Sequence, residues 1–175
     1  MSLFSLFKQC VNRCSARKIF VAITVLSMLS LIYSFYAEFY LKFEPCPLCV
    51  VQRIIIIAIM LFAIIFSTHT PRIKLSTRIY GVIIAGLALF NIKVAAHHVW
   101  LINLPIEQQP LSCGMPLNIL YQRVSLPNFL QTILQGDAEC AKLTWTILGM
   151  QPPYAVIILC GTILLLALLP IFKGK

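Results

Sequence analysis

The segment IFVAITVLSMLSLIYSFYA, residues 19–37, runs for 19 residues without a charge, and PYAVIILCGTILLLALLPIF, residues 153–172, does so for 20. A helix needs about 20 mostly apolar residues to cross roughly 30 Å of hydrocarbon. Both segments meet that length, which places the chain in a bilayer. Composition agrees: 60% of the 175 residues are hydrophobic and only 11% are charged, against about 25% charged in a soluble domain. Two less uniform spans lie between them. One covers about 48–66, with Gln52 and Arg53 near its start, and the other about 79–99, with Asn91, Lys93, His97 and His98 toward its end. The expected fold is an all-α, single-domain bundle of four transmembrane helices, with a long outer loop over about 100–152. The basic start followed by an apolar run is similar to a secretory signal. That run exceeds the usual ~7–15 residues and no A-x-A-like site follows it, so we read it as a retained first helix.

The net charge of +9 does not point to nucleic acid, because the basic residues flank the apolar segments instead of forming a separate basic domain. Lys8, Arg13, Arg17 and Lys18 precede the first span. Arg72, Lys74 and Arg78 lie between the second and third, and Lys173 and Lys175 follow the fourth. All five acids, Glu38, Glu44, Glu107, Asp137 and Glu139, fall in the other two connections. The positive-inside rule then puts both termini in the cytoplasm and the acid-bearing connections outside. Within the long outer connection, apolar residues at helical spacing from Leu117 to Val124 and from Leu126 to Leu134 predict a short amphipathic helix. It lies on the membrane surface or on the bundle's outer end.

This topology sorts the seven cysteines. Cys46, Cys49, Cys113 and Cys140 fall outside, Cys10 and Cys14 in the cytoplasmic head, and Cys160 within the fourth span. An oxidising outer compartment favours disulfides among the first four alone. Cys10 and Cys14 read as incidental thiols and Cys160 as a small packing residue.

The sequence Cys46-Pro47-Leu48-Cys49 stands where an outer loop enters a membrane helix. Proline is favoured at the first helical position, which makes Cys46 the cap and puts Cys49 in the first turn. Free N–H groups and the positive end of the helix dipole stabilise a thiolate there. Arg53 follows Cys49 by four residues, on the same face one turn deeper. A cation within a span costs about 2.5–3.5 kcal/mol at the bilayer centre and less near the rim. That cost alone would suit a headgroup anchor, but beside a C-x-x-C it points to function. Cys113 and Cys140, if bridged, close a ring of 28 residues worth about 3.6 kcal/mol in the chain-entropy account. Such a bridge is a staple by itself. With a second pair on the same side it becomes a partner for thiol–disulfide exchange, and Gly114 and Gly136 would permit the loop motion this needs.

The sequence resembles the DsbB family, the quinone-dependent disulfide oxidases of the bacterial inner membrane. The resemblance lies in Glu-Pro-Cys-Pro-Leu-Cys-Val-Val-Gln-Arg (44–53), His-Val-Trp-Leu (98–101), Leu-Ser-Cys-Gly (111–114), Glu-Cys-Ala (139–141) and Trp-Thr-Ile-Leu-Gly-Met (145–150). It implies a reduced periplasmic thioredoxin-fold oxidase, DsbA-like, whose thiolate attacks a Cys113–Cys140 bridge and forms a mixed disulfide with Cys113. Electrons then pass to Cys46–Cys49 and on to ubiquinone or menaquinone beside Arg53. His98 is expected near the quinone ring, as a hydrogen-bond partner or proton source, and Gln52 as a further contact. Lys93 within the third span departs from the family pattern, and the head with its two cysteines carries no family role.

A different class of protein, a four-helix scaffold stapled by two structural disulfides, would also explain four outer cysteines. It would not explain a short, easily reduced C-x-x-C bridge beside an arginine. A haem held by His97 and His98 is disfavoured, since adjacent helical residues point about 100° apart. A four-cysteine zinc site fits the residue count but not an oxidising compartment, so no metal site is assigned.

Overall fold

The computed structural model describes residues 15–43, 45–69, 74–105, 107, 128, 133–136, 138–141 and 149–172. Among the described residues four long helices run the length of the bundle: α1 (Ala16–Phe39), α2 (Pro47–His69), α3 (Lys74–Ile102) and α5 (Pro152–Phe172). A four-residue helix, α4 (Ala138–Ala141), lies in the outer connection. No strand occurs among the described residues. All four long helices are long and apolar enough to span a bilayer, so the chain is an all-α, four-helix membrane protein. Large apolar side chains such as Met28, Leu29, Ile32, Ile54, Val82 and Leu165 are exposed on their outer faces. Lipid, not water, is the solvent that tolerates them.

The helices run past the expected spans, most of all α3, which begins at Lys74 and ends at Ile102. Its 29 residues extend about 43 Å, more than the hydrocarbon thickness. Hydropathy stops at the first charge, but helical hydrogen bonding continues past it, and terminal lysines and arginines reach the headgroups along their own stems. His97 and His98 lie near the outer end of α3, just before its last turn.

The most extensive contact is between α3 and α5, with α1 packed on α2 and α2 on α3. Phe20 of α1 stacks on Phe66 of α2 at 4.0 Å between ring centroids, and Phe66 meets Tyr80 of α3 edge-on at 5.5 Å. These rings close one end of the bundle. At the other end Lys42 takes a left-handed φ of 58° and the Phe43 N–H donates to the Ala37 carbonyl, which reverses the chain between α1 and α2. That tight return keeps the last turn of α1 beside the first turns of α2.

Of the segment expected as an amphipathic surface helix, all but Asn128, Ile133 and Leu134 lies outside the described residues, as do Cys113, Cys10 and Cys14. Residues 133–136 and 138–141 of the outer connection are described, and this stretch is docked on the bundle. Gly136 takes a φ of +76°, and a Cβ there would come within 2.7 Å of Leu101 Cδ1 and 2.9 Å of Leu48 Cδ1. The sequence suggested Gly136 as a source of mobility. In the fold it supplies a left-handed turn and a close approach that seat the loop on α2 and α3.

Candidate active site

Helix α2 starts at Pro47, and Cys46 caps it. The Cys46 carbonyl accepts the first helical bond, from the Val50 N–H at 3.1 Å. Its sulfur accepts from the Cys49 N–H at 3.4 Å, the bond an N-cap side chain ordinarily makes. Capping turns both sulfurs of the C-x-x-C toward each other. Cys46 Sγ and Cys49 Sγ are 2.9 Å apart, closer than two non-bonded sulfurs rest and a small rotation from the ~2.05 Å of a disulfide.

Cys46 and Cys140 are buried, while Cys49 is partly open. The three therefore form a layered set. On the loop side, Cys46 Sγ, Cys140 Sγ and His98 Nε2 all lie within 4.8 Å of one another, although they come from positions 46, 98 and 140. Cys46 precedes the membrane span, and its thiol is pushed well above the ordinary range. The causes are hydrogen bonding with the Cys140 sulfur, then hydrogen bonding with the Cys49 sulfur, then burial. These contacts favour the neutral thiol of Cys46 over its thiolate.

His98 organises this side. Its Nε2 lies 3.1 Å from the Cys140 carbonyl oxygen, and since a carbonyl only accepts, Nε2 carries the proton. Nδ1 is then an acceptor for the Gln52 side-chain amide at 3.4 Å. Further in, the Asn91 side-chain amide donates to the Gln52 main-chain carbonyl at 3.5 Å and to Cys160 Sγ at 3.3 Å. This polar chain ties α2, α3 and α5 together inside an apolar bundle, where such bonds average about 0.6 kcal/mol each. Cys160 is buried packing, as expected, with Asn91 as its polar neighbour. His97 points elsewhere and also holds the loop, with Nε2 3.1 Å from the Gln135 carbonyl. Adjacent histidines thus clasp the returning loop at two backbone points, on either side of Gly136.

On the opposite side of Cys49 lies a cavity of about 400 Å³ between α1, α2 and α5. Its walls are mostly apolar, with Leu26, Leu29, Ile56, Val156 and Leu159 among them, and Cys49, Gln52, Arg53 and Glu38 supply its polar end. Arg53 forms an ion pair with Glu38 and lies over the Phe35 ring at 4.8 Å. Its Nε is buried without a hydrogen-bond partner. The expected cation beside Cys49 is therefore in place, with a counter-ion from α1 that offsets part of its cost in an apolar layer.

His98 lies on the loop side of the C-x-x-C. Among the described residues it is not part of the cavity wall; it faces Cys46, Cys140 and Gln52. Gln52, the residue before Arg53, is in hydrogen-bonding contact with His98. The rotation of α3 decides this facing, and the loop carbonyl at Cys140 takes the ring. Gln52 does line the cavity while its amide reaches His98, so it bridges the two sides. Lys93 is exposed on α3 and is likewise not part of the wall.

Comparison with known proteins agrees with this geometry. The profile of the family described as "DsbB: Disulfide bond formation protein DsbB" matches residues 16–170. The chain belongs to the DsbB family. It is 39% identical over 127 residues to the Disulfide bond formation protein B of Acinetobacter baylyi, covering 73% of this chain and 74% of that one. It is 34% identical over 161 residues to the protein of the same name from Acinetobacter baumannii, covering 92% and 94%. A relative from Methylococcus capsulatus is 35% identical over 144 residues, covering 82% and 87%. No solved structure matches. As a member of the family, the chain is a multi-pass membrane protein of disulfide bond formation, which is an oxidoreductase activity.

Proposed function

We propose that this protein reoxidises a thioredoxin-fold dithiol oxidase of the periplasm, DsbA-like, and passes the electrons through two cysteine pairs to ubiquinone or menaquinone. It would do so from the bacterial inner membrane, with both termini in the cytoplasm and the four cysteines facing the periplasm. One observation carries the reading: the C-x-x-C lies between a docked Cys140 on one side and an arginine-bearing apolar cavity on the other.

The residues of the cavity suit a quinone. Its long apolar walls match an isoprenoid-bearing ring, and the unpartnered Arg53 Nε is a donor for a ring oxygen. Arg53 and Gln52 would hold that group, with Cys49 at its edge. A bound quinone supplies a two-electron, two-proton acceptor within reach of the C-x-x-C.

The protein's own chemistry follows from the order of the sulfurs. The partner's thiolate attacks Cys113 and breaks a Cys113–Cys140 bond, leaving a mixed disulfide that the partner's second thiol resolves. The partner departs oxidised, and Cys113 and Cys140 carry the electron pair. Cys140 is the sulfur next to Cys46, so it attacks there, breaking Cys46–Cys49. Cys49 leaves on the cavity side, where the Arg53 guanidinium meets the charge. Cys113 then attacks Cys140, restoring their bridge and releasing Cys46. The exchange is balanced: one disulfide is gained by the partner and one is lost from Cys46–Cys49. His98 holds the Cys140 backbone in place for this step. The stapled-scaffold alternative gives no reason for Cys140 to lie on the C-x-x-C.

Thiol trapping tests the proposal. Adding a reduced dithiol partner without quinone should convert Cys46 and Cys49 to thiols, and quinone should then restore their bridge. Cys113→Ala should block the partner's turnover while the Cys46–Cys49 bridge still forms. A pair that stays oxidised throughout would favour the scaffold.

A further inference from the structure

The cluster on the loop side of the C-x-x-C has a property that disulfide exchange does not use. Cys46 Sγ, Cys140 Sγ and His98 Nε2 are three buried donor atoms of metal-ligating type within 4.8 Å of one another, and Cys49 Sγ lies 2.9 Å from Cys46 Sγ. Two sulfurs and an imidazole nitrogen are three of the donors of a Cys3His zinc site; Cys49, which lies outside that group of three, would swing in from the cavity side to supply the fourth. With Zn–S near 2.3 Å and Zn–N near 2.0–2.1 Å, a tetrahedral site has edges of about 3.5–3.8 Å. The Cys46 Sγ to His98 Nε2 separation is 3.7 Å, already such an edge.

We propose that, when both cysteine pairs are reduced, Cys46, Cys140, His98 and Cys49 form a tetrahedral site for a thiophilic divalent cation such as Zn2+, whose binding holds the protein in its reduced form. The site exists in one redox state alone. With Cys46 bonded to Cys49 and Cys140 bonded to Cys113, no thiolate is free; with both bonds reduced, all are. An oxidising compartment thus excludes the metal only while the acceptor keeps the cysteines oxidised. Binding is not itself a redox step. The cation displaces the thiol protons, as metal uptake by cysteine does generally, and three thiolates leave the site with one net negative charge, on the side of Cys49 that shares its cavity with the Arg53 guanidinium.

The surroundings supply what such sites need beyond ligands. A ligating histidine ordinarily donates its other ring N–H to an oxygen that fixes its orientation. For Nε2 to ligate, the proton moves to Nδ1, and the Gln52 amide, now 3.4 Å from Nδ1, reverses to present its oxygen. Cys49 is partly open, so one edge of the sulfur set is not sealed by protein.

Cobalt(II) reports this directly, without partner or quinone, so failure here is separable from failure of the proposed electron path. Protein carrying Cys10→Ser and Cys14→Ser is reduced, desalted anaerobically and titrated with Co2+. The expected result is one equivalent bound with the intense visible bands of tetrahedral thiolate coordination, displaced by Zn2+. Cys160→Ser should leave the bands unchanged. Gln52→Ala should weaken affinity about 10–100-fold, and His98→Ala or Cys46→Ser should change or abolish the bands. Oxidised protein, which needs no substitution and whose helicity is checked alongside, should give none. The reduced, metal-loaded protein should also resist reoxidation by the small-molecule thiol oxidant diamide until a chelator is added. Absence of tetrahedral bands in the reduced protein would overturn the proposal. So would equal binding by the oxidised form, bands that persist unaltered in His98→Ala and Cys46→Ser, or reoxidation at an unchanged rate with metal bound.

Discussion

Replacing Gly136 with alanine tests whether the outer loop is held on the bundle by the contact the structure describes. At φ +76° an alanine carries a backbone cost of roughly 1–2 kcal/mol. Its Cβ would also press on Leu101 Cδ1 and Leu48 Cδ1 at 2.7 and 2.9 Å. Both are the far ends of flexible side chains, so the leucines yield by leaving their rotamers, at about 0.5–1.5 kcal/mol each. Together this is at least about 2 kcal/mol against docking. The two histidine bonds to Gln135 and Cys140 contribute about 0.5–1.5 kcal/mol each, so the substitution is large enough to cancel them. A loss of about 2 kcal/mol raises the undocked population about 30-fold. Fully reduced, anaerobically desalted protein is pulsed with N-ethylmaleimide, and label at the buried Cys140 is quantified by peptide mass. Labelling should be slow in the parent and about 30-fold or more faster in Gly136→Ala, with labelling at Cys160 unchanged. Equal rates, or a Cys140 that labels as an exposed thiol in both, would refute the docked arrangement.

Arg53→Met keeps the length of the side chain but removes the charge beside Cys49 and strands Glu38. If Arg53 holds a quinone through a charge-assisted bond worth about 1.5–3 kcal/mol, the quinone concentration for half-maximal turnover should rise about 10- to 100-fold; an unchanged requirement would assign Arg53 to anchoring. The Cys46 thiol is pushed upward by its sulfur neighbours and burial, so its neutral form persists where an ordinary cysteine, at about 8.5, is half ionised. In reduced protein, alkylation at Cys46 should therefore stay slow and flat from about pH 7 to 9. A rise centred near the ordinary value would contradict the hydrogen bonding described.

Much of this was legible in the sequence because lipid imposes simple rules. A span of about 20 apolar residues has few alternatives in a bilayer, so four helices followed from composition and run length. Pro47 fixed the start of α2, and with it the capping role of Cys46 and the position of Arg53 one turn below Cys49. The contacts that make these residues a site were less accessible. Glu38 sits one residue beyond the apolar run of α1, and only the tight return through Lys42 brings it to Arg53. Pairing the ends of neighbouring antiparallel helices would have suggested it. The roles of His97 and His98 depend on where the outer loop returns, and their partners are backbone carbonyls, which leave no residue signature. The bonds of His98 to Cys140 and Gln52 were accordingly not among the expectations. Gly136 reads as a hinge in sequence, because glycine serves equally for motion and for a left-handed, closely packed turn.

The central claim is that Cys140 and Cys46 are neighbours, and a crosslink tests it most directly. In protein carrying Cys49→Ser and Cys113→Ser, those two sulfurs are left without their original partners. Mild oxidation should join Cys46 to Cys140 rapidly and in high yield, as mapped by non-reduced peptide mass. Persistence of both as separate thiols, or their pairing with other cysteines instead, would contradict the account.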